Sequence, residues 1–173
     1  MHSFRKASLQ DFDEIWSILE CAKELLKSQN IDQWQDGYPN RRSIKADIKA
    51  GRSYVLICEG KIAAVGAILV GVDPVYTAIE GSWMGRENEE NYASIHRTAI
   101  SPEFIGQKLS AVMMAGLVEI CSELGFNDIR ADTHTDNKVM QHVLTKSGFE
   151  YRGEINQGGG AWRRAYQMLL TGN

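Results

Sequence analysis

The sequence predicts an α/β (α+β) fold: a single mixed, mostly antiparallel sheet of about seven strands with helices on both faces. Hydrophobic periodicity alternates between strand and helix spacing along the chain, in the order β-α-α-β-β-β-α-β-α-β-β. Glu59-Gly60-Lys61 divides one apolar run into two strand-sized halves, the mark of a hairpin and of antiparallel pairing. Further on, a helix-length segment separates "YASIHRTAI" from "NDIRADTHT". A helical crossover makes those two strands parallel if they are neighbours in the sheet.

The elements follow in order. "SFRKAS" is a short first strand. In "DFDEIWSILECAKELLKS", Phe12, Ile15, Trp16, Leu19, Ala22 and Leu26 recur at helical spacing, and Asp11, Asp13 and Glu14 complement the positive end of the helix dipole. "QNIDQWQDGYPN" has Gly, Pro and no period, so it is a loop. "RRSIKADIKAG" is a short polar helix closed by Gly51, and "SYVLICEGKIAAVGAILVGV" holds the hairpin. "DPVYTAIEGSWMGRENEEN" is a long loop or a broken strand, and "YASIHRTAI", β-branched and aromatic, is a strand. From Lys108 to Leu124, residues Leu109, Met113, Leu117, Ile120, Cys121 and Leu124 mark an amphipathic helix with Gly125 as its C-cap. "NDIRADTHT" is a strand and "DNKVMQHVLTKSGF" a helix ending at Gly148. "EYRGEI" and "AWRRAYQMLL" are strands joined by the turn "NQGGG".

The 173 residues suffice for one domain, expected over 1–173, with a sizeable core. A net charge of -3 gives no electrostatic reason to expect nucleic acid as a partner. The longest apolar run, Ile62 to Val72, is strand-sized and broken by glycines, so no membrane span is expected. "MHSFRKASLQDFDEI" lacks the apolar core of a signal peptide, which points to the cytoplasm. Cys21, Cys58 and Cys121 lie far apart, without metal-ligand spacing. They read as buried, inert thiols, and no metal is expected.

The stretch "ISPEFIGQKLSAVMMAGL" carries the chemistry. It gathers Gly106, Gln107, Lys108 and Ser110 between a strand and a helix. Two readings are open: a plain helix cap, or a phosphate cradle built from the unpaired N–H groups and dipole of a helix start. The second half of the chain bears on the choice. "RADTHTDNKVMQHVLTKSGFEYRGEI" places Asn137 at a helix start and Lys146-Ser147-Gly148-Phe149 before a strand. It resembles the strand, helix and strand near the C-terminus of GNAT-type N-acetyltransferases. "HRTAISPEFIGQKLSAVMM" resembles the same superfamily's strand, pyrophosphate loop and helix. The family's glycine-rich loop is eroded here, with Ile105, Lys108 and Ser110 at its usual positions and Gly106 retained. Lys108 is compatible with the cradle if it takes ordinary helical dihedrals. A tyrosine often found seven residues after the Asn, held to be the acid that protonates the leaving thiolate, is Leu144 here.

The resemblance implies the GNAT (acyl-CoA N-acyltransferase) fold, acetyl-CoA as cosubstrate and a primary amine as acceptor, on a small molecule or a peptide N-terminus or lysine. Related folds often pair, so a homodimer is the assembly it suggests. Cofactor-binding residues carried over are Thr98, Ala99 and Ile100 on the strand edge, Phe104, Ile105, Gly106, Gln107, Lys108, Leu109 and Ser110 in the loop, and Asn137 and Met140 on the following helix. In the family, a bulge in that strand splays it from its parallel partner. The acceptor must lose a proton before attack. His96 is the first base candidate, since its ordinary pKa suits the role, although it also fits as a satisfied sheet residue. Glu80 is a second base candidate from the loop, and Tyr151 a substitute acid. Trp34, Tyr76 and Trp83 are candidates for the acceptor pocket, and Asp32, Asp36 and Glu80 could attract a cationic acceptor. A noncatalytic acyl-CoA-binding or sensing domain is the alternative that the eroded loop and Leu144 motivate.

Overall fold

The computed structural model describes residues 1–85, 90–158 and 160–171; positions 86–89 of the long loop and Gly159 of the last turn lie outside them. Strand β1 (His2–Lys6) turns into helix α1 (Phe12–Ser28). Asp11 fixes the turn: its carboxylate accepts from the Ser8 N–H at 2.7 Å and from the Arg5 guanidinium at 2.7 and 3.0 Å. Helix α2 (Arg41–Lys49) starts at Asn40, whose side chain accepts from the Ser43 N–H at 2.8 Å and so satisfies a donor that the helix itself cannot. β2 (Ser53–Cys58) and β3 (Lys61–Val70) form the expected hairpin. Glu59 and Gly60 both take positive φ, 52° and 76°, the two-residue turn whose twist matches the strands.

The later elements are β4 (Glu80–Gly81), β5 (Ala93–Ile100), α3 (Leu109–Glu123), β6 (Asp128–His134), α4 (Lys138–Lys146), β7 (Glu150–Asn156) and β8 (Trp162–Leu169). The strands form one eight-stranded sheet in the order β1-β2-β3-β5-β6-β8-β7-β4. Every neighbouring pair is antiparallel except β5 and β6, the pair joined through α3. Seven strands match the sequence reading. The eighth, β4, is a two-residue edge on β7 within the segment read as a long loop.

Helices α1 and α2 cover one face, where Phe12, Ile15, Leu19 and Ile44 meet Val55, Val65 and Ala99. α3 and α4 cover the other, where Met113, Leu117, Cys121 and Leu144 pack on Leu56, Ile68 and Ile129. Each fully buried aliphatic of this kind contributes about 1.5–3 kcal/mol of transfer free energy. Two expectations are corrected. Leu124 is 51% exposed, because α3 ends before it at the rim of the sheet, while Met114 and Gly116 are buried in its stead. Cys21 is exposed on α1; Cys58 and Cys121 are the buried thiols, and burial pushes Cys121 up to about 12. Among the described residues no helix is long and apolar enough to cross a membrane.

Candidate active site

The parallel ladder between β5 and β6 pairs Ala93 with Ile129, Ser94 with Arg130 and Ile95 with Ala131, and then stops. The cause lies on the other edge of β5. Its register with β3 shifts between Val65 and Ala67, so Gly66 faces both Arg97 and Thr98. Arg97 takes a left-handed φ of 52°. One extra residue bends a strand away from its neighbour. From His96 to Ile100, β5 therefore keeps one edge free of β6.

Which residues face that edge follows from ladder alternation. The Ser101 N–H donates to the Ala63 carbonyl at 2.8 Å, and Ala99 stands opposite Val65, so Ser101 and Ala99 turn their main chain to β3. Thr98 and Ile100 turn theirs to the open side. Ala99 is thus set apart from its two companions: it is buried in the core under α1 and does not line the cleft.

β5 leads through a 3-10 turn, Pro102–Phe104, to α3, with Phe104 buried beneath the loop. The Phe104 N–H donates to the Ser101 carbonyl (2.9 Å) and the Gln107 N–H to the Phe104 carbonyl (3.3 Å). The N–H groups of Ile105, Gly106, Lys108, Leu109 and Ser110 meet no acceptor among the described residues. Gly106 has φ 89°, and a Cβ built on it would touch nothing within 4 Å, so the main chain faces open space. Lys108 does not take helical dihedrals: it caps α3 at φ 59°, ψ 26°. A non-glycine residue there costs roughly 1–2 kcal/mol, and a left-handed residue at such a turn is one way that a main chain forms an anion-binding concavity. The loop thus fits a phosphate through its main chain.

At the other wall, Asn137 caps α4. Its Oδ1 accepts from the Met140 N–H at 3.1 Å, and its Nδ2 donates to Gln33 Oε1 at 3.0 Å. The Asn137 side chain, carried over as a cofactor-binding group, is thus engaged within the protein. Gln33 Oε1 also accepts from Thr133 Oγ1 (3.3 Å) and the His134 N–H (3.4 Å), which fastens the loop after α1 to the end of β6. Met140 and Leu144 line the same wall.

A continuous cleft of about 2030 Å³ joins the two faces of the sheet. Gly106, Ser110 and Met140 line it together with Trp16, Trp34 and His96. The His96 side chain is only 15% exposed; its Nε2 lies 2.9 Å from Ser94 Oγ and 3.5 Å from Asp73 Oδ2. Its ring stacks on Tyr76 with centroids 6.0 Å apart. Burial lowers the His96 pKa, and outweighs the opposing pull of Asp132 and Asp73. Asp132, on β6 across the gap, accepts the Tyr76 hydroxyl at 2.6 Å, and its other oxygen lies 3.6 Å from Arg163 Nη1. Burial, then Asp132, raises the Tyr76 pKa well above the usual value.

The structure separates the remaining expected residues. Trp34, Asp32 and Asp36 line the cleft. Tyr76 is core, 1% exposed, with its hydroxyl spent on Asp132. Trp83 leans on Tyr76, donates to its carbonyl at 2.9 Å and lies outside the cleft lining. Glu80 is exposed on edge strand β4, opposite Glu154 of β7, so β7 and β8 stand between it and the cleft. Tyr151, on β7, donates to Glu154 at 2.8 Å and is likewise remote from the cleft lining. Sequence reasoning missed Asp73, Asp132 and Gln33; the resemblance implied a bulge in β5 but did not place it at Arg97. Asp132 had one usable signal, a carboxylate near the C-terminal end of a crossover strand, where α/β sheets place ligands. Asp73 had none.

A mixed sheet that parts between its two parallel strands, beside an amide-lined helix start, frames the candidate site. The profile of the Acetyltransferase (GNAT) family matches residues 13–149, and the chain belongs to that family. It is 24% identical over 154 residues to the uncharacterized N-acetyltransferase YesJ of Bacillus subtilis, with 85% of this chain and 81% of YesJ covered. It is 36% identical to a GNAT-family acetyltransferase from Streptococcus agalactiae, with a TM-score of 0.90 over 99% of this chain and 96% of that one. The structure of yncA from Salmonella typhimurium with its cofactor acetyl-CoA shares the fold, at TM-score 0.67 and 14% identity over 99% and 95% of the two chains.

Proposed function

We propose that the protein is an N-acetyltransferase that moves the acetyl group of acetyl-CoA to a primary amine, on a small molecule or a peptide, by direct attack. The observation that carries this reading is the single cleft joining the unpaired β5 edge and the amide-lined loop to His96. The acetyl-CoA bound to yncA and the name of YesJ support it. Acetyl-CoA supplies the acetyl group activated as a thioester. The N–H groups of Ile105, Gly106 and Lys108 to Ser110 would hold its pyrophosphate. The main chain of Thr98 and Ile100 would pair with its amides as with an added strand, and an N–H near Ile100 would hydrogen-bond the thioester carbonyl.

An acceptor amine with an ordinary pKa of ~10.4 arrives protonated. His96, neutral because it is buried, takes that proton, and the imidazolium so formed is stabilised by Asp73 and Asp132. Trp16 and Trp34 wall the acceptor's approach, with Asp32 and Asp36 nearby to attract its charge.

Leu144 favours a second reading, a noncatalytic acyl-CoA-binding module, because a buried aliphatic side chain cannot protonate a thiolate. A screen of primary amines with CoA release as readout separates the two. At least one amine should raise release well above background hydrolysis. Binding of acetyl-CoA with no responsive amine would select the binding module.

A further inference from the structure

The bulge that opens the sheet is built on a residue whose backbone resists it. Arg97 holds φ 52° without being glycine. Its side chain is correspondingly gripped. Nε donates to Asp47 Oδ2 at 2.6 Å, Nη2 to Asp47 Oδ1 at 2.9 Å and Nη1 to the Tyr38 hydroxyl at 2.5 Å. Asp47 belongs to α2, is 3% exposed, and also accepts from Arg52 Nε at 3.2 Å. A planar guanidinium meeting a buried carboxylate with two bonds is geometrically exacting. Asp47 itself does not line the cleft.

We propose that Asp47 is a positioning residue for the transfer reaction: through its clamp on Arg97 it holds the β5 bulge in place and so keeps Thr98 and Ile100 turned to the open edge. The inference rests on reading that edge as the acetyl-CoA site. Were Arg97 released to the ordinary extended region, the extra residue would be absorbed elsewhere along β5. A one-residue slip exchanges inward and outward positions in a strand. Ala99 would then face the gap, and Thr98 and Ile100 would bond β3. The same guanidinium holds Tyr38, which also lines the cleft, so the clamp ties a second part of the lining to α2.

Calorimetric titration with acetyl-CoA, run below the melting temperature of every variant, tests the clamp. Asp47→Asn should weaken binding by ~10-fold or more, the scale of a lost strong hydrogen bond. Arg97→Gly and Arg97→Ala both delete the clamp but differ in tolerance of positive φ. Arg97→Gly should bind within ~3-fold of the wild type and Arg97→Ala ~10-fold more weakly. In the Arg97→Gly background, adding Asp47→Asn should change binding little. Wild-type affinity in Asp47→Asn, or equal affinity in the two Arg97 variants, would overturn the clamp. A wild-type protein that binds no acetyl-CoA would instead overturn the reading of the edge, and the clamp with it.

Discussion

Ile95 of β5 and Ala131 of β6 are the last residues of the parallel ladder to stand opposite one another. Past them β5 runs on to Ile100 with an unpaired edge, and the gap leads from the amide-lined loop to the buried face of His96. The separation has a local cause, the bulge at Arg97 and Thr98 opposite Gly66, so its consequences can be tested residue by residue.

The open edge can be probed by removing a single N–H. Ile100 turns its main chain away from β3, so Ile100→Pro deletes a donor the sheet does not use. Acetyl-CoA affinity measured by calorimetry should fall by ~10-fold, the scale of one hydrogen bond left unmade. An unchanged affinity would remove Ile100 from the donor site.

Gly106 tests the loop. With φ at 89° and open space where a Cβ would project, Gly106→Val both strains the backbone and fills the space before the amides. The dissociation constant for CoA should rise by ~10-fold or more. Equal binding by the variant would place the phosphates elsewhere.

The acid–base assignment has a signature in pH. Burial holds the His96 pKa below its ordinary ~6.5, so the side chain stays unprotonated, and base-competent, into mildly acidic solution. The wild-type kcat/KM should therefore hold up below that pH. His96→Ala should lose activity progressively as pH falls, since the acceptor must then deprotonate unaided. Superimposable pH–rate profiles would exclude His96 as the base.

Asp11 predicts a pH dependence of stability. The Arg5 guanidinium, with help from the Ser8 N–H, lowers its carboxyl to about 2. A depressed carboxylate pKa contributes stability that is complete above the unfolded value of ~3.9 and disappears as pH falls through the folded one. Because Arg5 is half-exposed, screening limits the contribution to about 1 kcal/mol. Urea unfolding should show Asp11→Asn destabilised by about that amount at pH 7, with the difference shrinking as pH falls below about 4 and only a fraction of it left at about pH 2.

Much of the fold was legible because local chemistry wrote it. The Glu59-Gly60 turn, the acidic start of α1 and the Gly125 and Gly148 stops each act within a few residues of themselves, and each element lies where its pattern put it. What stayed hidden depends on distant partners. β4 exists because Gly81 and Gly153 let two backbones approach so closely that a Cβ on either would come within 2.2 Å of a carbonyl oxygen opposite. Tyr76 looked like a loop aromatic free to wall a pocket, but Asp132, distant in sequence, draws it into the core. Lys108 takes a glycine's conformation at a position where its identity argued against one. In the site, the residues drew notice to the loop through Gly106 and the helix start, the open strand edge entered only through the family resemblance, and His96 was a candidate by its place on that strand. Asp73, Asp132 and the Asp47–Arg97 clamp were not legible, since each gains its meaning only when the sheet brings separate segments together.

Backbone amide exchange with and without acetyl-CoA is the most direct measurement. Protection should appear at Thr98, Ile100, Ile105, Gly106 and Lys108 to Ser110, with β1 and β2 unaffected. Protection that bypasses the β5 edge and this loop, or no protection at saturating acetyl-CoA, would contradict a donor site in the gap between β5 and β6.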